Sequence, residues 1–383
     1  MFKLKEYDLK HYKVSLLGIV IVLGSIGMIL IQRLQDANEI QYEKQIIGYA
    51  VGILIAIFVS LVDYHFMCKL FIPLYLVNFA LLFIAKFTPL GKAHFDAKRW
   101  ILLPVVNIEV QPSELTKIIL ILFFAKFFDI FRRQINKMSI IVIAFLLAMV
   151  PTGLILIQTD LSTSIVIFAC FMAMIFTAGL SYKIIIPALA TAVPAFIALF
   201  WYVQQPYQIF LNEYQQLRIL AMVNPELYPN LMYQQSNAMK AIQAGGMTGK
   251  LITGEQAPLK ASLVPVVESD FIYTAIAEAF GFLGSMAVLG LVAIVVYKAI
   301  LIAKHARDFM GMMIASGIAS LIMFQVFVNI GVVTSLLPNT GIPLPFLSSG
   351  LSALIGNMIM LGVLLNVGLQ NDRMVPKKET LSL

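Results

Sequence analysis

Charge is scarce in this chain. Asp, Glu, Lys and Arg make up 12% of its 383 residues, 60% are hydrophobic, and the mean hydropathy is +0.90. A soluble domain carries about twice that share of charge, so a water-soluble globular protein is excluded. Lipid demands apolar side chains and a backbone that satisfies its own hydrogen bonds, which makes long apolar blocks membrane-spanning helices rather than barrel strands. Cysteine is nearly absent. Cys68 and Cys170 lie far apart, in or beside apolar runs, so a disulfide framework and a cysteine metal site are both excluded, and both thiols read as small buried hydrophobes. Low-complexity sequence is missing, as is any solenoid period or clear inverted duplication. The basic arm of Lys3, Lys5, Lys10 and Lys13 precedes the first apolar block, but no small-residue cleavage site follows it. That block is expected to be a retained first span.

The charge that is present leans positive, with a net +7 and a pI near 9.2. In a soluble chain this would point to nucleic acid. Here basic loops orient a membrane protein and meet anionic lipid, so membrane lipids are expected partners and nucleic acid is not.

Runs of roughly 17–25 apolar residues mark spans. They fall near 14–32, 45–63, 70–86, 114–130, 138–157, 161–180, 182–203, 271–297, 309–336 and 346–369. The fold class that follows is an all-α integral membrane protein, a single polytopic domain over 1–383 with about ten transmembrane helices. Basic residues gather at one set of ends: the N-terminal lysines, Lys69, Arg132, Arg133, Lys137, Lys183, Lys298, Lys304, Arg307, Arg373, Lys377 and Lys378. The positive-inside rule puts both termini in the cytoplasm. Two outer segments stand out, about 87–113 and 204–270. The second is a large extracytoplasmic loop between spans seven and eight, too long to be a mere connection.

Ionisable residues near or inside spans cost several kcal/mol unless paired or wet, so they mark candidate sites. In QPSELTK (111–117), Pro112 suits a first helical turn, and Glu114 and Lys117 share a face. They are either a helix-start ion pair or the lining of a polar cavity. In QTDLSTS (158–164), Asp160 is either an N-cap or the partner of Lys117 across the bundle. In ESDFIYTAIAEAFGFLG (268–284), a helix starting near Asp270 would put Glu278 about 12 Å deeper and about 80° around the axis. The two acids are then no tight dyad, although both could border one cavity, with Asp270 at its mouth. Glu268 reads as a solvated loop acid. In GIPLPFLSSG (341–350), two prolines forbid regular helix before Ser348, Ser349 and Gly350, and broken backbone at membrane depth survives only where protein or water satisfies it. Such a helix start also suits an anionic group. In the long loop, which also carries Arg218, the candidate phosphate partners are Lys240 and Lys250 beside Gly245, Gly246 and Gly249, although the spacing is not that of a P-loop.

Taken jointly and in order, five stretches resemble the SEDS family of bacterial shape, division and sporulation proteins (RodA, FtsW and SpoVE), most nearly the RodA type. They are Arg99-Trp100 leading to QPSELTK, then QTDLSTS, AIQAGGMTGK, ESDFIYTAIAEAFGFLG and GIPLPFLSSG. The resemblance covers nearly the whole chain. It implies a peptidoglycan glycosyltransferase that polymerises lipid II on the outer face of the bacterial cytoplasmic membrane, partnered by a class B penicillin-binding protein. Asp270 matches the family's essential aspartate, and Glu278 the first glutamate of its Ala-Glu-Glu. Arg99, Glu114, Lys117, Asp160 and Arg218 match polar positions of the central cavity or its outer loops, and Ser348, Ser349 and Gly350 match the last-loop motif. The chain departs from the family at Pro265-Val266-Val267-Glu268-Ser269, where Pro-Glu-x-His-Thr is common, at Ala279, where a second glutamate is usual, and at Gln158-Thr159-Asp160-Leu161-Ser162. The glutamate and histidine that are changed here cannot be essential to any chemistry this protein performs.

An inverting transfer onto a 4-hydroxyl needs one base and electrostatic help for the departing pyrophosphate, not a close carboxylate pair. Asp270 is the expected base, and Arg218, Lys117 or Arg99 the expected cations. No cofactor is required by the residues, although a divalent metal, magnesium or manganese, could bridge Asp270 and phosphate oxygens. Two other readings fit the same spans: a flippase for the lipid-linked precursor, and a non-catalytic scaffold for the penicillin-binding protein.

Overall fold

Ten long helices form where apolar runs were expected. A computed structural model describes residues 12–34, 39–94, 97–103, 108–251, 253–254 and 259–370. The long helices are α1 (Val14–Leu34), α2 (Glu39–Ser60), α4 (Phe71–Phe87), α5 (Pro112–Ile130), α6 (Met138–Ile157), α7 (Leu161–Thr177), α8 (Tyr182–Val203), α11 (Ile272–Lys304), α12 (Phe309–Val333) and α13 (Leu351–Leu369). Seven are long and apolar enough to cross a membrane by themselves. Helices α4 and α7 have 17 residues each, about 26 Å of helix. Helix α5 carries Glu114, Lys117, Lys126 and Asp129, yet it is buried on almost every side from Pro112 to Phe128. A helix apolar nearly all round belongs at the centre of a bundle, and α5 is that centre. Helix α8 is the opposite. Only Val203 is buried, and the rest of its apolar surface, interrupted by Pro187 and Pro194, faces outward.

The connections sort to two ends. At one, His65 in the short α3 (Tyr64–Lys69) meets Asp308, Arg132 lies 4.4 Å from the Phe309 ring, and the Ser181 N–H donates to Asn136. Tyr12 bonds Ser60 and Gln370 bonds Asp63 there, so the chain enters and leaves the bundle at the same end. This is the basic end, carrying Lys69, Arg132, Arg133, Lys137, Lys183, Lys304 and Arg307. It is therefore cytoplasmic. The expected basic positions 3, 5, 10, 373, 377 and 378 lie outside the described residues.

At the other end, the outer segment near 87–113 holds the departure from an all-helical protein among the described residues. Strands β1 (Gly91–His94), β2 (Ala97–Leu103) and β3 (Ile108–Val110) form an antiparallel sheet in that order, with Gly91 opposite Ile101 and Ile101 opposite Val110. The long loop contains α9 (Glu213–Val223) and α10 (Pro229–Gly245). The last span begins at Leu351 rather than near 346, because the proline-flanked stretch before it stays non-helical.

Helix α11 breaks at Gly281 (φ +66°, ψ −168°), and the long loop repairs the break. The Lys250 and Leu251 N–H groups donate to the Glu278 and Ala279 carbonyls at 3.0 Å each. The Phe282 and Leu283 N–H groups donate to the Gly246 and Met247 carbonyls at 2.9 and 3.1 Å. Such close backbone approach requires glycine. A Cβ on Gly245 would lie 2.1 Å from the Ala277 carbonyl oxygen. The loop is thus stitched into the bundle, which is what a broken helix at membrane depth needs.

Candidate functional site

Three irregular segments meet at the outer end around Asp270, which immediately precedes the N-cap of α11. The Ser348 hydroxyl donates to the Ser269 carbonyl at 2.5 Å and accepts from the Leu344 N–H at 2.7 Å. The Ser349 N–H donates to the Glu268 carbonyl at 2.8 Å. Ser348 and Ser349 therefore clasp the backbone that carries Asp270. From the bundle side, the Asn329 amide donates to the Asp270 carbonyl at 2.8 Å and to the Ile342 carbonyl at 2.7 Å. Gly341 (φ +62°) lies against the carboxylate: a Cβ there would stand 2.6 Å from Asp270 Oδ2.

The charges around Asp270 are mixed. Asp160 caps α7 by accepting from the Thr163 N–H at 3.1 Å, and its other oxygen accepts from Gln111 at 3.3 Å. Arg99, on β2, lies 3.8 Å from Asp160 and donates to the Gln158 and Thr159 carbonyls at 3.1 and 2.8 Å. Arg218, on α9, donates to the Asn339 carbonyl. The Ser162 hydroxyl donates to the Thr340 carbonyl at 2.9 Å, joining the α7 start to the same segment. Burial raises the Asp270 carboxyl from its ordinary value to about 6. The Ser269 hydrogen bond pulls it down, the Asp160 charge pushes it up, and Arg99 and Arg218 pull it down.

Glu114 and Lys117 pair with each other. The ammonium lies 2.8 and 2.9 Å from the two carboxylate oxygens, both side chains are buried, and Gln325 lies 3.5 Å away. The alternative pairing of Lys117 with Asp160 does not form, because Arg99 from the sheet reaches Asp160 while Lys117 is held by its own helix neighbour. Glu278 lies deeper in the bundle, against the long loop. It is fully buried, and its oxygens accept from Lys250 Nζ at 2.5 Å, the Lys260 N–H at 2.8 Å and the Ala261 N–H at 2.7 Å. Its place is explained by the loop it anchors. Lys250 is thus an anchor cation, and Lys240 lies elsewhere, in an open groove of about 390 Å³ with Asn237, Gln243, Lys260 and Leu263.

Sequence reasoning missed Gln325 and Asn329. They stand four residues apart on α12, where Gln325 holds the Pro343 carbonyl at 2.8 Å and Asn329 the Ile342 carbonyl. Two carboxamides on one face of an apolar helix were the available signal. Among the described residues no three Asp, Glu, His or Cys side chains converge as a metal-ligand set.

Comparison with known proteins follows the same lines. The FTSW_RODA_SPOVE family, described as "Cell cycle protein", matches residues 9–373. A probable peptidoglycan glycosyltransferase FtsW of Trichlorobacter lovleyi is 32% identical over 377 residues, 96% of this chain and 94% of its own. The peptidoglycan glycosyltransferase MrdB of Escherichia coli is 32% identical over 297 residues, 76% of each chain. Among solved structures, a chain from "Structural coordination of polymerization and crosslinking by a peptidoglycan synthase complex" superposes with a TM-score of 0.78 at 26% identity, covering 93% of this chain and 97% of that one.

Proposed function

The chain belongs to the FtsW/RodA/SpoVE family, and from that premise we propose that Asp270 is the general base of its reaction. The protein is a peptidoglycan glycosyltransferase of the bacterial cytoplasmic membrane. Its substrate is lipid II, a disaccharide-peptide carried on a polyprenyl pyrophosphate. One observation carries the reading: a half-buried carboxyl at the outer mouth of the bundle, raised to about 6, with two arginines close enough to act on it.

The chemistry follows from that arrangement. At neutral pH the Asp270 carboxyl is mostly ionised, yet more basic than an ordinary aspartate, as suits a group that must accept a proton during reaction. It takes the proton of the acceptor 4-hydroxyl while that oxygen forms a bond to the donor's anomeric carbon. The bond from that carbon to the pyrophosphate breaks, and the configuration inverts from α to β in a single displacement. The charge growing on the departing pyrophosphate is met by Arg218 and Arg99. Lys117 contributes less than its sequence position suggested, because Glu114 already neutralises it. Ser348, Ser349 and Asn329 keep the acid-bearing backbone still while the bonds change. Among the described residues the acids near Asp270 do not compose a metal-ligand set.

The likeness to a subunit of a peptidoglycan synthase complex supports a crosslinking partner, which we assign to a class B penicillin-binding protein. The test is purified protein in liposomes given lipid II, with polymer formation and lipid II translocation measured side by side. Polymer is expected with or without translocation. Translocation without polymer would support the flippase reading instead, and neither activity without the partner would support the scaffold.

A further inference from the structure

We propose that Asn329 is the positioning residue of the site: the two hydrogens of one buried amide set the separation between the backbone of the base and the Gly341–Ile342 segment facing it. This rests on the assignment of Asp270 as base.

The geometry is specific. Nδ2 of Asn329 donates to the Asp270 carbonyl at 2.8 Å and to the Ile342 carbonyl at 2.7 Å, which uses both of its hydrogens. These carbonyls belong to segments more than seventy residues apart in the chain, and the second directly follows Gly341, the residue against the Asp270 carboxylate. A single planar group therefore fixes how far apart the two walls stand. Asn329 is 1% exposed, and among the described residues its Oδ1 has no hydrogen-bond partner. An orphaned buried acceptor costs free energy. A residue kept solely for packing would avoid that cost as leucine, so the position is better explained by the two donors than by stability. The amide orientation is not ambiguous, because the reversed amide would set its oxygen against two carbonyl oxygens. Gln325, one turn away, provides an internal contrast. It holds the Pro343 carbonyl but not Asp270, so it steadies one wall without tying the two together.

The consequence is kinetic. Without the tie, Asp270 keeps its carboxylate but loses its register, and water enters beside it. Burial is what raises its carboxyl, so the group should return toward the ordinary aspartate range.

The experiment compares Asn329→Leu, Asn329→Gln, Gln325→Ala and Asp270→Asn with wild type in lipid II polymerisation. It reads kcat and KM separately across pH 4.5–8.5, with thermal unfolding in detergent alongside. Asn329→Leu, which has nearly the same shape but lacks both donors, should lose on the order of 100-fold in kcat with KM within about threefold. The acid limb of its profile should move to lower pH. Asn329→Gln, which keeps an amide, should recover part of the rate, and Gln325→Ala should lower the unfolding temperature while leaving the limb where it is. The proposal is overturned if the Asn329 variants keep the wild-type limb and lose activity only in proportion to stability, or if Asn329→Leu polymerises normally. Normal polymerisation by Asp270→Asn would overturn the base assignment instead, and the two failures are separately visible.

Discussion

Glu278 lies within the most distinctive apolar motif of the chain, yet its surroundings are those of an anchor. Replacing it with alanine leaves the Lys250 ammonium without its partner and the Lys260 and Ala261 N–H groups without acceptors. Removing one partner of a buried ion pair costs about 3–5 kcal/mol, and each orphaned N–H adds about 1–3 kcal/mol where water cannot reach it. The Lys250 side chain is 11% exposed and the Lys260 N–H only part-buried, so both find some water. We take about 4 kcal/mol for Glu278→Ala. Glu278→Gln keeps one acceptor oxygen and should cost about half as much. Lys250→Met leaves the carboxylate its two backbone donors and should cost least. Combining Glu278→Leu with Lys250→Met should recover part of the loss, because no lone charge then remains buried. The assay is thermal unfolding in detergent, with limited proteolysis at 246–251 and 259–263, which should become cleavable in the order of destabilisation. Polymerase activity should follow that same order. The reasoning is refuted if Glu278→Gln unfolds at the wild-type temperature, keeps its loop protected and yet makes no polymer, since that would put the carboxylate in the chemistry.

Two further outcomes follow from the same geometry. Gly341→Ala places a methyl 2.6 Å from Asp270 Oδ2 on backbone at φ +62°, so polymerisation should fall at least tenfold while lipid II binding, measured by titration, is retained. At the cytoplasmic end His65 bridges Asp63 at 2.8 Å and Asp308 at 2.7 Å; burial lowers its pKa, but those two carboxylates outweigh it and leave the imidazole raised. A raised folded-state pKa stabilises fully below the ordinary imidazole range and is lost as pH rises through the raised value. His65→Ala should therefore cost about 1.5–3 kcal/mol near pH 6 and progressively less toward alkaline pH, read from unfolding temperatures across that range.

The bundle was largely legible because hydropathy reports lipid contact directly. Ten apolar runs became ten helices, and the basic loops fell at one end. The sheet was not legible, since three short strands between spans give no long period. The start of α13 was misplaced by five residues because Phe346 and Leu347 extend the apolar run toward Pro345, while the stretch through Gly350 stays non-helical. At the site, Asp270 stood out as an acid at a span entrance. Which residues pair there did not, because the partners come from remote elements. Arg99 reaches Asp160 from a strand about sixty residues earlier, and the donors that satisfy Glu278 lie 17–28 residues upstream on the loop. Two of those three donors are backbone N–H groups, which no side-chain pattern reveals. Asn329 and Gln325 were not legible because charge marks a site in an apolar helix by its cost, whereas these two groups are uncharged amides.

The account stands most directly on one measurement: polymerisation of lipid II by purified Asp270→Asn, reconstituted beside wild type at matched amounts of folded protein. The substitution preserves shape and leaves the backbone contacts to Asn329 and Ser348 in place, so the variant should fold, insert and bind lipid II while forming no glycan polymer. Wild-type polymer from that variant would contradict the assignment of Asp270 as the base.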